Sequence, residues 1–275
     1  MKLLLTLAIA AAGALGQAPA VGEIMARVAH NQTQSQEARR QYTYRQKQLL
    51  RLNHGGGKLA REERREYDVS PAAGGTHKEL AHFEGKYESK GKYLAYDRPG
   101  HEYKEMDIDG DLIDSLSDGL TNDKRSRDGL AANLFPLTEA ELHKYNFHLK
   151  STEQYRGREV YRVTFEPDPK VNESAWKGEA LIDAAEFQPV SVHTSLALKI
   201  PLLVKTLFGT NIKGLGFSVS YQKFEDGVWF PVSYGGEFEV RAVFFYKRKI
   251  SVAMTNTDFR RAHVDSSVTY VAQEK

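Results

Sequence analysis

Apolar residues recur at helical spacing in only a few short stretches of this chain and at alternate positions almost everywhere else. Ile24, Val28 and Ala38 fall three to four residues apart, or multiples of it, among Gln, Arg and Glu, so the pattern predicts an exposed amphipathic helix from Val21 to about Arg40 with a thin apolar stripe. The period then changes to two. Tyr42 and Tyr44 alternate with Thr43 and Arg45. Leu59, Arg61, Glu63, Arg65, Tyr67 and Val69 run along one side of a second extended segment, and His54-Gly55-Gly56-Gly57 supplies the turn of a long hairpin from Gln41 to Val69. Further strands are expected at His77–Tyr87 and around Tyr93–Tyr96. Leu112, Ile113, Leu116 and Leu120 then predict a short helix and loop within 107–133, and Thr138 with Glu141 forms a capping-box pattern before a single turn near Leu142.

Strand signals resume at Tyr145–Gln154, Val160–Phe165, Gly178–Ile182, Pro189–Thr194, Phe217–Phe224, Val228–Tyr234, Glu237–Tyr246 and Ile250–Asn256. Short turns such as Arg156-Gly157 and Asp226-Gly227 join them, which builds an antiparallel sheet and excludes parallel crossover units. One face of that sheet collects Phe217, Val219, Tyr221, Val228, Phe230, Val232, Tyr234, Phe238, Val240, Ala242, Phe244 and Tyr246. The other carries Ser218, Ser220, Gln222, Glu237, Glu239, Arg241 and Lys247. A one-sided sheet must cover its apolar face, with helices or with a bound apolar molecule. The segment from Leu196 to Phe208 suits either cover. Pro201 fits a helix start and Gly209 a stop, and Leu196, Ile200, Leu203 and Leu207 share a face that Phe208 extends, so the segment is a static plug, a lid, or a membrane-touching turn.

Lys2 followed by an apolar run from Leu3 to Leu15, with small-residue cleavage patterns at Ala14-Leu15-Gly16 and Ala18-Pro19-Ala20, reads as a secretory signal peptide over residues 1–20. The run is shorter than the roughly 20 residues of a membrane span. Residues 21–275 then form one exported, soluble domain, without a linker or internal repeat to divide it. The absence of cysteine excludes disulfides, thiolate metal sites, cysteine nucleophiles and cysteine acylation. With 38 Lys+Arg against 36 Asp+Glu, the net charge of +2 gives no field to hold a nucleic acid.

Together with the signal peptide and amino-terminal helix, three phrases are distinctive: strands beginning Tyr42-Thr-Tyr-Arg45, then Gly178-Glu-Ala-Leu-Ile-Asp183 with Phe187-Gln-Pro-Val-Ser-Val192, and Phe224-Glu-Asp-Gly-Val-Trp-Phe-Pro231. In these the chain resembles the periplasmic outer-membrane lipoprotein carrier and sorting family (LolA/LolB-like). The resemblance implies an α+β fold, an open, incomplete antiparallel β-barrel covered by an N-terminal helix and short inserted helices. It also implies an apolar concavity presented to acyl chains of lipids or lipoproteins, with transient membrane contact and envelope proteins among the partners. Without cysteine, only the soluble-carrier type is a close analogue, and the acidic stretch 107–128 has no counterpart in the simple carriers.

A search for chemistry is negative. His77/His82 and His143/His148 are each five residues apart, on opposite strand faces or roughly 140° apart on a helix, so neither forms a local chelate. Asp107, Asp109, Asp111, Asp114 and Asp118 lack the glycine and glutamate positions of a calcium loop and read as a solvated helix start. Gly209 to Gly214 has the glycine spacing of a phosphate loop, but Leu215 and Gly216 replace its lysine and Ser/Thr, and no Gly-x-Ser-x-Gly elbow exists. The reading is therefore a non-enzymatic carrier with no cofactor and no metal. Phe217, Val219, Tyr221, Phe230, Phe238, Val240, Phe244 and Tyr246 are its expected cavity wall, and Leu196, Ile200, Leu203, Leu207 and Phe208 its lid or plug. Arg39, Arg40, Arg45 and Lys47, beside Arg51, make a basic stretch that meets lipid headgroups or a partner, or else pairs with Glu62, Glu63 and Glu66 across the hairpin. The rival readings are an envelope sensory or protein-binding module using the same sheet, and a hydrolase with a dispersed site.

Overall fold

Alternation of inward and outward side chains dominates the computed structural model, which describes residues 18–72, 75–121, 137–170, 176–197, 211–242 and 246–262. Helix α1 (Val21–Arg39) leads into a hairpin of β1 (Tyr42–His54) and β2 (Leu59–Ala72), followed by β3 (Gly75–Ser89) and the short β4 (Lys92–Tyr96). Two more helices, α2 (Ile108–Thr121) and α3 (Glu139–Leu142), precede β5 (Tyr145–Tyr155), β6 (Arg158–Pro167), β7 (Trp176–Asp183) and β8 (Pro189–Leu196). The chain ends in β9 (Asn211–Lys213), β10 (Gly216–Lys223), β11 (Trp229–Ala242) and β12 (Tyr246–Arg261).

The strands form one antiparallel sheet in the order β4-β3-β2-β1-β12-β11-β10-β8-β7-β6-β5, with β9 pairing β11 to one side. The sheet is curved and open, since among the described residues β4 and β5, at its two ends, do not pair. It is the expected α+β incomplete barrel. In the middle of that order β1 pairs with β12, which aligns Leu50 with Val252 and Leu52 with Ile250 and so joins the early hairpin to the late strands.

On β1 the even positions Tyr42, Tyr44, Gln46, Gln48, Leu50 and Leu52 are buried, and this identifies the inner face. The core lies between that face and the helices. Ile24 and Val28 of α1 and Ile113 of α2 are fully buried in one cluster with Leu52, Val163, Ile182, Val192 and Val219. The expectation of an exposed amino-terminal helix is thus corrected. Its stripe is wider than Ile24 and Val28 because Met25, Ala29, Gln32, Ser35 and Arg39 are buried beside them. Polar side chains of α1 reach the β7–β8 turn. Asn31 donates to the Glu186 carbonyl at 2.8 Å, and Gln32 donates to the Gln188 side chain at 2.7 Å.

Two strands expected at 228–234 and 237–246 are instead one, β11, because Gly235 and Gly236 continue the ladder with β12. Gly236 is required there for packing: a Cβ would overlap the Gly216 carbonyl and the Phe217 ring, which lies over it. Tyr246 falls on the next strand. The single turn at Glu139–Leu142 forms as expected, but Thr138 makes no side-chain cap, and its carbonyl receives the Glu141 and Leu142 N–H groups instead. Among the described residues no helix is long and apolar enough to cross a membrane.

Candidate functional site on the inner face of the sheet

Most of the residues expected to line a cavity share the inner face, where they pack as core. Phe217, Val219, Phe238, Val240 and Tyr246 are buried in the main core, and Tyr221 packs half-buried against it. Phe217 is the hub. It stacks on Tyr234 at 5.4 Å with 15° between planes, and meets Trp176 and Phe238 edge-on at 5.7 and 6.2 Å. Helices α1 and α2 bury residues in this same cluster, so the described part of the face is covered by protein.

Phe230 leaves that wall. A bulge between Ser220 and Tyr221 brings Tyr221 opposite Pro231 and Gln222 opposite Phe230, which breaks the simple alternation. Phe230 instead joins Tyr42, Phe224 and Phe259, at 4.9, 5.2 and 4.3 Å between ring centres. Phe244 lies outside the described residues, as do Ile200, Leu203, Leu207 and Phe208 of the lid or plug segment. Leu196 is the member of that set in view, half-buried at the end of β8, where it lines a groove of about 420 Å³ with Leu215, Gly216 and Gly235.

The basic stretch divides. Arg39 is 5% exposed and donates to the Trp229 carbonyl at 2.6 Å, so it anchors α1 to β11 and cannot meet a headgroup. Arg40 pairs with Glu37 at 2.8 Å within its own helix end. Arg45, Lys47 and Arg51 face outward and pair across the hairpin with Asp68, Glu66 and Glu62 at 2.9, 3.4 and 2.5 Å, as the cross-strand alternative expects for Glu62 and Glu66. The outward basic side chains are thus laced with opposite charge. Glu62 shows the effect: burial alone would raise its carboxyl, but its bonds to Arg51 and Lys86 hold it below the usual range.

A second part of the inner face is charged, and sequence reasoning missed it. Arg61, Glu63 and Arg65 stand opposite Leu52, Leu50 and Gln48, so the register that turns those β1 residues inward turns the charges inward too. Arg61 and Glu63 are fully buried. Arg61 donates to Tyr96 Oη at 2.6 Å, Asp107 Oδ2 at 2.5 Å and the His101 carbonyl at 2.7 Å, and pairs with Glu63 at 3.3 Å. Arg65 pairs with Glu63 at 2.5 Å and with Asp114. Arg248 grips Asp109 with two bonds at 2.8 and 2.9 Å, and Tyr246 donates to the same carboxylate at 2.7 Å. Burial, reinforced by the neighbouring carboxylates Glu63 and Asp109, pushes the hydroxyls of Tyr96 and Tyr246 far above their ordinary pKa and keeps them protonated donors.

The acidic start of α2 is therefore not solvated. Asp107 caps the helix by accepting from Gly110 N at 3.1 Å while its other oxygen takes Arg61, and both Asp107 and Asp109 are buried. The signal lay in the hairpin register: once Leu50 and Leu52 are core, Arg61 and Glu63 must be as well, and buried arginines require acids from elsewhere in the chain.

Between the two parts runs a ladder of amides. Ser117 donates to Gln48 at 3.1 Å, Gln48 to Gln46 at 3.1 Å, Gln46 to Asn256 at 3.2 Å, and Asn256 to the Pro231 carbonyl at 2.8 Å. Lys78 of β3 donates to the same Gln46 oxygen at 3.0 Å, with Nζ 5.9 Å from the centre of the Tyr67 ring. Burial outweighs the attraction of Asp118 and draws the Lys78 ammonium down to a pKa of about 7.

No family model and no curated protein matches the sequence. Solved structures do resemble the fold. One is an outer membrane lipoprotein-sorting protein domain from Vibrio parahaemolyticus, 12% identical over 83% of this chain and 89% of that one, with a TM-score of 0.37. Another is a DUF1329 family protein from Desulfovibrio piger ATCC 29098, 12% identical over 91% of this chain and 96% of that one, with a TM-score of 0.38. A third is a lipovitellin structure concerned with lipid–protein interactions, 10% identical over 82% of this chain and 26% of that one, with a TM-score of 0.30.

Proposed function

We propose that this protein is an exported, non-enzymatic carrier that binds the acyl chains of a lipid or lipoprotein against the inner face of its sheet, in the periplasm and in service of the outer membrane. The observation that carries the reading is the open, curved sheet whose inner face runs apolar from β6 to β12, with Phe217 at its centre. An open sheet keeps an inner surface that helices can leave and a ligand can take, which a closed barrel filled with side chains does not. Phe217, Val219, Tyr221, Phe238, Val240 and Tyr246 form the wall. The apolar sequence from Leu196 to Phe208 is the candidate lid or plug for that wall. A chain that enters gains about 0.8 kcal/mol per buried methylene, enough for measurable binding even when part of the chain stays in water.

Gentle purification followed by native mass spectrometry and solvent extraction tests the proposal, together with titration of the delipidated protein with a fluorescent fatty acid. A copurifying acyl lipid and saturable binding are expected. An empty protein that gives only linear, non-saturating fluorescence overturns it. Amino-terminal sequencing of protein from the envelope fraction tests export, with Gln17 or Val21 as the expected first residue, and an intact Met1 in the cytoplasm counts against it.

A further inference from the structure

The outer face carries a cluster of cations that share one acid. Register puts Arg51, Glu62 and Lys86 side by side on β1, β2 and β3, turned away from the core. Glu62 is the shared partner, with a side chain only 5% exposed. Arg51 Nε donates to one of its oxygens at 2.5 Å, while Arg64 Nε at 3.3 Å and Lys86 Nζ at 3.1 Å meet the other. One carboxylate against three cations leaves two positive charges uncompensated. Arg64 stands opposite Glu84 in the ladder yet pairs with Glu62, while Glu84 is bonded to His82 at 3.1 Å. Glu62 thus fixes Arg64 through its inner nitrogen, and the terminal guanidinium nitrogens remain available as donors. Beside this cluster, where β4 ends, lies a cavity of about 780 Å³ lined by Arg64, Lys86, Arg98, Glu84, Asp97 and the rings of Phe83 and His101. Arg98 and Asp97 meet no partner among the described residues.

We propose that this outer cavity binds a phosphate ester of a hydroxylated molecule, with Arg64, Lys86 and Arg98 on the phosphate and Asp97 accepting from a hydroxyl. The volume is that of an organic ligand and far exceeds a bare ion. Arginine forks and a lysine point charge are the side chains that suit phosphate oxygens, and Glu62 holds two of the three in place before a ligand arrives. Ordering them in advance lowers the cost of binding. The carboxylate of Asp97 would repel an anion that filled the cavity alone, whereas it suits a ligand that also brings hydroxyl donors. A free sugar or polyol phosphate and the glycerol phosphate head of a lipid share this chemistry. The site lies on the face opposite the apolar wall, so it goes beyond the carrier reading and does not depend on it.

Isothermal titration calorimetry with glycerol 3-phosphate, inorganic phosphate, sulfate and glycerol tests the site in the wild type, Arg98→Gln, Lys86→Met and Asp97→Ala. The wild type is expected to bind glycerol 3-phosphate best, inorganic phosphate less well and glycerol not at all. Arg98→Gln breaks no contact among the described residues and should weaken both phosphates about tenfold, the scale of one charge-assisted hydrogen bond. Lys86→Met should do the same, with Glu62 still held by Arg51 and Arg64. Asp97→Ala should weaken glycerol 3-phosphate about fivefold and leave inorganic phosphate as tight or tighter. Flotation with phosphatidylglycerol and phosphatidylcholine vesicles separates the two sources. Binding to phosphatidylglycerol alone, reduced in Arg98→Gln, assigns a lipid head, and binding of the soluble ester without either vesicle assigns a free phosphate ester. The proposal is overturned if neither the soluble phosphates nor phosphatidylglycerol bind, if sulfate binds as well as glycerol 3-phosphate, or if Arg98→Gln and Lys86→Met change nothing. Thermal melting of each variant controls for folding. The fluorescent fatty-acid titration should be the same in all three variants, so failure of this site and failure of the carrier reading are read separately.

Discussion

The two sides of the inner face solve the same burial problem by different chemistry. Around Phe217 the surface is removed from water because it is apolar, and each contact there is non-directional. Around Arg61 the buried groups are charged, and they are tolerated because Glu63, Asp107 and Tyr96 meet the guanidinium on every side. Apolar packing stabilises by area, whereas a buried ion network roughly offsets its own desolvation and contributes geometry instead. The lesson concerns the helices. α1 packs on Ile24, Met25 and Val28 and is fixed by hydrogen bonds from Asn31, Gln32 and Arg39, whereas α2 is fixed by ion pairs, Asp107 on Arg61, Asp109 on Arg248 and Asp114 on Arg65. Shared between the two sides is an aromatic ring lying over a glycine of its own sheet: Phe217 over Gly236, and Tyr96 over Gly85.

Removing one member of the charged side should cost most. Arg61→Ala strands Asp107 in the interior and takes one of the two arginines from Glu63, and a loss of about 3–5 kcal/mol in denaturant unfolding is expected. A loss under 1 kcal/mol, on the scale of an exposed pair, would show that water reaches the network and that the contrast is false. On the apolar side Phe238→Ala should cost a comparable amount, about 3–5 kcal/mol, through lost contact and a cavity. The contrast sharpens in the triple replacement of Arg61, Glu63 and Asp107 by Leu or Met. Stability should change little or rise, while the first turn of α2 loosens where Asp107 held it, read as faster amide exchange over 108–111.

Gly85→Ala drives a methyl into the Tyr96 ring and should cost about 1–3 kcal/mol by overpacking, an increment that should largely vanish when measured in a Tyr96→Ala background, which itself loses the bonds to Arg61 and Glu63. A pH test follows from Lys78. Its folded pKa of about 7 lies below its unfolded value near 10.5, so the unfolded state binds the extra proton between them and stability rises with pH from about 7 toward 10.5. Lys78→Met should flatten that rise in melting temperature relative to wild type; parallel curves would place Lys78 in water. The smallest effect belongs to the exposed pairs. Arg45→Ala, at Asp68 on the outer face, should change stability by less than about 1 kcal/mol in a salt-sensitive way.

Much of this was legible without coordinates. The hairpin of β1 and β2, the turns at His54–Gly57, Arg156-Gly157 and Asp226-Gly227, and the apolar alternation of β10 to β12 follow from local pattern, because a strand's period of two and a turn's need for glycine are short-range. What escaped was set by pairing. Gly235-Gly236 looked like a break until β12 supplied the ladder, and Phe230 changed cluster because a bulge on β11 is invisible in a single strand. Arg39 looked like a surface charge until β11 offered it a carbonyl.

The order of strands and helices, the one-sided apolar surface and the antiparallel class were determined by the sequence alone, since each depends on residues within a few positions of one another. Only the tertiary structure decided which side of β2 is the inside. Arg61 and Glu63 belong to the core because β1 pairs with β12 through Leu50 and Leu52 and because Asp107, 46 residues further along the chain, returns to meet Arg61. A charge is buried or solvated according to what approaches it, and that approach is a property of the fold.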